Sequence, residues 1–124
     1  MTEERRRAVR TPIRLVTFVK MLSTGKVRRV LTNNVSVVGL CFLDEALLEP
    51  GVQLEIEVKL PDREAPIPCT AEVVWSRSVG GPRKSYEALA VETGVKVVEI
   101  QPKDQRLLQA YIAMNTLLPS SGGT

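Results

Sequence analysis

The chain has no histidine in its 124 residues. That removes the usual general base, the Ser–His and Cys–His pairings of nucleophilic catalysis, and the commonest metal ligand. Only two cysteines occur, Cys41 and Cys69, and two thiolates without histidine do not complete an ordinary zinc site. Neither GxxxxGK[ST] nor GxGxxG is present, so the familiar phosphate-cradling glycine loops are missing. The expectation is a protein that is not an enzyme and carries no metal. No stretch approaches the roughly 18 apolar residues of a membrane span. The N-terminus opens with acids and arginines and has no apolar run, so it does not read as a secretory signal, and a cytoplasmic location is expected. Both cysteines sit in apolar, strand-like runs and are expected to be free buried thiols.

Aromatic residues are scarce as well. Phe18, Phe42, Trp75, Tyr86 and Tyr111 are the full set, and none lies beside the basic run. A stacking platform for single-stranded nucleic acid is therefore poorly supported. The net charge of +3 is too small to imply a nucleic-acid partner by itself. Its distribution says more: Arg5, Arg6, Arg7, Arg10 and Arg14 crowd the start of the chain against Glu3 and Glu4, forming a local cationic arm.

What is present is a run of short β signals. Residues 13–21 are rich in β-branched and aromatic types, and Ser23 to Lys26 reads as a turn with Gly25 available for positive φ. Strands are expected over 26–33, 39–43, 52–60, 67–77 and 85–100, the last interrupted at Gly94. The clearest period is 52–60, where Val52, Leu54, Ile56, Val58 and Leu60 alternate with Gln53, Glu55, Glu57 and Lys59. From Pro102 the spacing becomes helical, with Leu107, Leu108, Tyr111, Ile112, Met114 and Leu118 as apolar positions. These signals predict a mainly β domain, a small antiparallel barrel or sandwich, with a C-terminal helix over one end. Arg14 is expected to face outward and Trp75 to pack within the barrel. Glu72 and Glu87 read as solvated strand positions.

Two motifs remain. Arg6 and Arg10 form RxxxR immediately before the first strand. Asn34, Ser36 and Gly39 form NxSxxG between two strands. Locally the second motif is a bend, because Asn tolerates the left-handed region, Ser bonds nearby backbone and Gly permits a bulge. Asn34 and Ser36 would share one face of a strand, and Gly39 would let a ligand or another backbone come close.

RxxxR followed by [D/N]xSxxG resembles the PilZ domain family. The likeness extends through Val73-Val74-Trp75, the late strand Val95 to Ile100 and the closing helix, over about residues 4–116. It implies a six-stranded antiparallel β-barrel with a C-terminal α-helix. It also implies cyclic di-GMP, a bacterial second messenger, as ligand. By that resemblance Arg6 and Arg10 would grip phosphates and guanines, Asn34 would meet a guanine edge or phosphate, Ser36 would donate its hydroxyl and Gly39 would keep the surface open. Arg5 would be an additional contact, reaching a second ligand molecule. The chemistry is consistent, since a guanidinium fork bonds phosphate or guanine O6 and N7 in pairs and stacks on bases.

The implied organisation is a flexible basic arm over residues 1–12, a barrel with its helix over 13–118 and a flexible tail over 119–124. A lone module of this kind would act through a downstream protein in trans, with a homodimer left open. The competing readings are a PilZ-fold interaction module that binds no nucleotide, and a nucleic-acid binder using Arg5 to Arg10 with Lys26, Arg28 and Arg29.

Overall fold

The computed structural model describes residues 12–36, 38–79 and 91–117, with side chains to residue 115. Among them, six strands precede one helix. The strands are β1 (Val16–Met21), β2 (Val27–Val35), β3 (Gly39–Asp44), β4 (Gln53–Val58), β5 (Ile67–Ser78) and β6 (Val91–Ile100), and α1 spans Pro102–Leu117. In β4, Leu54, Ile56 and Val58 are buried while Gln53, Glu55 and Glu57 face water, as a period of two requires. All neighbouring strands are antiparallel and close into a barrel in the order β1-β2-β3-β6-β5-β4. Closure leaves no unpaired sheet edge, and the barrel, not the sandwich, is the architecture found.

The core fills the barrel with Val19, Val30, Val35, Leu40, Phe42, Leu54, Ile56, Val58, Ile67, Ala71, Val73 and Val95. Leu108 and Ile112 of α1 join it and Tyr111 packs against it, each buried aliphatic side chain contributing about 2 kcal/mol. Leu107 and Met114 remain exposed, so only part of the predicted helical stripe is used. Pro102 occupies the first turn and Asp104 follows it, a carboxylate well placed toward the positive end of the helix dipole. Leu118, the tail, and residues 85–90 of the last predicted strand lie outside the described residues. Cys41 and Cys69 are buried and form no disulfide, and burial pushes the Cys69 thiol up to about 11.

The first strand begins later than its composition implies. Residues 13–15 are clipped to β2 instead: the Leu15 amide donates to Thr32 Oγ1 (2.8 Å), the Thr32 hydroxyl donates to the Ile13 carbonyl (2.6 Å), and the Thr32 amide donates to the Leu15 carbonyl (3.1 Å). Ile13 and Leu15 are buried and Arg14 is exposed. The segment leading into the barrel is thereby fixed beside the middle of β2.

One ion pair ties β2 to β3. Asp44, only 2% exposed, accepts from Arg28 Nη2 (2.8 Å) and Nε (3.2 Å) and from the Glu45 amide (2.7 Å). Arg28→Met would strand a buried carboxylate, so stability should fall by about 3 kcal/mol in urea unfolding. An unchanged urea midpoint would mean that Asp44 is solvated without its partner.

Candidate functional site

Two of the three register shifts in the barrel determine what its outer face carries near Asn34. On β2, Val30 and Thr32 point inward, and simple alternation would send Asn34 inward too. A bulge between Thr32 and Asn34 inserts Asn33, so Thr32 pairs with Phe42 and Asn34 with Cys41. Val35 then becomes the core residue, with no exposure, and Asn34 turns to the outer face. The second bulge lies on β5, where Val73 pairs with Val95 and Trp75 with Gly94. Val73 and Val95 are in the core, Val74 is the extra residue, and Trp75 is turned outward. Trp75 is thus not the packed barrel residue expected from its alternation with Ala71 and Val73.

These shifts place Asn34, Cys41, Gly94 and Trp75 in one row across β2, β3, β6 and β5. The Trp75 indole lies on the β6 backbone: a Cβ at Gly94 would stand 2.5 Å from Cε2 and 2.6 Å from Nε1. In the adjoining outward row Glu92 pairs with Arg77. Glu92 Oε1 accepts from Arg77 Nη2 (3.1 Å) and Oε2 accepts from Asn33 Nδ2 (2.6 Å). The Arg77 guanidinium sits 5.1 Å from the centre of the Trp75 ring, within cation–π range. Asn33, Trp75, Arg77 and Glu92 were not identifiable as a group from the sequence, because the bulges that unite them leave no mark in the alternation.

The rest of the NxSxxG stretch is a tight turn into β3. The Ser36 amide donates to the Gly39 carbonyl (2.8 Å), its hydroxyl donates to the same oxygen (3.2 Å), and the Val38 amide donates to Ser36 Oγ (3.3 Å). Ser36 is 1% exposed, so its hydroxyl is engaged within the turn. Gly39 has its own packing reason. A Cβ there would stand 2.3 Å from the Val95 carbonyl oxygen, so glycine admits the backbone of β6. Asn34 is half-buried and is the motif residue whose side chain faces outward. Arg5, Arg6 and Arg10 lie outside the described residues. No cluster of three or more His, Cys, Asp or Glu side chains able to hold a metal ion occurs among the described residues, and none of their helices is long and apolar enough to cross a membrane.

The family model for the PilZ domain matches residues 4–114. The chain belongs to the PilZ domain family. Solved structures agree on the PilZ fold. The Bacillus subtilis inhibitor of motility, MotI/DgrA, is 25% identical with a TM-score of 0.72, the match covering 91% of this chain and 51% of that one. The PilZ domain of Escherichia coli YcgR with c-di-GMP is 18% identical with a TM-score of 0.71, covering 90% of this chain and 92% of that one. YcgR in complex with c-di-GMP gives 18% identity and a TM-score of 0.68, covering 89% and 45%. The chain therefore spans about half the length of MotI/DgrA and of that YcgR chain. Comparison with curated proteins gave no match.

Proposed function

We propose that this chain is a cyclic di-GMP receptor that acts as an adaptor and catalyses no reaction. Arg6 and Arg10 grip the ligand from the arm, Asn34 meets it from the barrel, and Arg5 reaches a second ligand molecule. The arm folds over the bound ligand and presents a new surface to a partner protein in trans. Ser36 and Gly39 serve the site by holding the turn that follows Asn34.

The observation that carries this reading is the clip between residues 13–15 and Thr32. Arg10 precedes Ile13 by three positions, so their Cα atoms lie no more than roughly 11 Å apart. Ile13 is bonded to Thr32, the residue next to the bulge that turns Asn34 outward. The clip anchors the segment that follows RxxxR beside the strand that carries Asn34, which supports assigning both motifs to one site. Membership of the PilZ family and the solved relatives with c-di-GMP support the choice of ligand.

The fold also favours one competitor. Ser36 and Gly39 both have sufficient reasons in the turn itself, as they would in a PilZ module that binds no nucleotide. A calorimetric titration with cyclic di-GMP separates the two. Saturable binding is expected, with affinity falling as salt rises because arginine–phosphate contacts are screened. The absence of any binding heat and of any thermal stabilisation by the ligand would leave the interaction module as the function.

A further inference from the structure

We infer that α1 pairs with the α1 of a second copy of this chain, antiparallel, through the stripe Leu107, Ala110 and Met114. The inference is independent of the ligand and of the basic arm.

The barrel uses only one side of α1. Leu108 and Ile112 enter the core and Tyr111 packs against it. Leu107, Ala110 and Met114 are exposed, Met114 at 61%. At 3.6 residues per turn they stand roughly 150° around the helix from Leu108 and Ile112. Their spacing, three and then four, is that of a two-helix seam. Folding of the barrel leaves this second apolar stripe in water, and burying it is favourable.

The stripe is complementary to itself, which is why a second copy fits it. Ala110 and Met114 lie four positions apart on one face, about 6 Å along the axis. A two-fold axis between them sets Met114 of each copy over Ala110 of the other. A large side chain thus meets a small one, twice, as an isologous contact requires. Leu107 of each copy then reaches the last turn of the partner helix.

Charge selects the antiparallel direction. Lys103 and Arg106 are exposed near the amino end of α1, where the helix dipole disfavours cations. The last turn carries no basic residue. Lys103 lies four positions before Leu107, on the same stripe. A parallel pair would bring the two Lys103 ammonium groups together at the seam. The antiparallel pair carries Lys103 and Arg106 toward the carboxyl end of the partner helix, where cations are favourable. The contact is small: α1 has 16 residues, a length of about 24 Å. One such helix pair buries less than the roughly 1,600 Å² of a standard interface, so the dimer is weak and depends on concentration.

Sedimentation equilibrium of the full chain without ligand tests this. With a dissociation constant on the order of 100 µM, the mean mass should rise toward that of two chains between about 10 µM and about 1 mM. Met114→Lys places a charge in the seam and should weaken association at least about tenfold. Its melting temperature at low concentration should match wild type, because Met114 is exposed. Gln109→Lys, exposed on another side of the helix, should associate as wild type does. Oxidation fixes the register: a mixture of Ala110→Cys and Met114→Cys should form a disulfide-linked dimer faster than either variant alone. The native Cys41 and Cys69 are buried and should not compete. A chain that stays monomeric throughout this range, or a dimer that Met114→Lys leaves intact, overturns the inference. Faster oxidation of Met114→Cys with itself would mean a parallel pair and would overturn it too.

Discussion

Replacing Arg6 and Arg10 together by alanine is expected to weaken cyclic di-GMP binding by at least about a hundredfold in calorimetry. A hydrogen bond to a charged group contributes about 1.5–3 kcal/mol, and each 1.4 kcal/mol is a factor of about ten. Two arginines on a ligand with two phosphates and two guanines therefore set the scale. The paired lysine variant should fall between, since lysine keeps the charge but not the planar fork. Arg5→Ala should lower the number of ligands bound per chain more than the affinity of the first. If the arm serves recognition and not the barrel, the arginine variants should melt with wild type in the absence of ligand. Full retention of affinity in the double alanine variant would move the site away from the arm.

Gly39→Ala is expected to be the most damaging single methyl group in the barrel. The added Cβ would meet the Val95 carbonyl oxygen at 2.3 Å and the Lys96 Cα at 3.3 Å. Both are backbone atoms of β6 paired directly to β3, and neither can rotate away. The strands must separate locally, loosening the Ser36 turn and the Val97 amide bond to the Val38 carbonyl. A loss of about 3 kcal/mol, at the upper end for overpacking, should appear in urea unfolding. Gly94→Ala is the useful contrast. There the obstructing atoms belong to the half-exposed Trp75 side chain, which can swing outward, so the loss of stability should be clearly smaller. Equal destabilisation by the two variants would show that the indole is as immovable as the β6 backbone.

The two glycines also show how far the sequence could be read. Gly39 was legible as a position of close approach, but not as to what approaches; the structure supplies the Val95 carbonyl. Ser36 was legible as a residue able to bond local backbone, and it does so. The alternation of β4, the helical spacing after Pro102 and the turn at Gly25, which has φ of 77°, are local patterns. Local chemistry suffices to place them. Strand ends were less secure, because Ile13 and Leu15 are as apolar as β1 yet bond to Thr32 rather than extending the strand.

The sequence by itself determined the class of the molecule: a histidine-free, single β domain with a closing helix, bearing RxxxR and NxSxxG. Its motifs were sufficient to place it within the PilZ family. Only the tertiary structure decided which side chains share the outer face. A bulge adds one residue to a strand and reverses the facing of every residue beyond it until the pairing is restored. One such residue, Asn33, turned Asn34 outward, and another, Val74, did the same for Trp75. Both depend on register with strands far away in the chain, so neither is encoded in the local period that betrays the strands themselves.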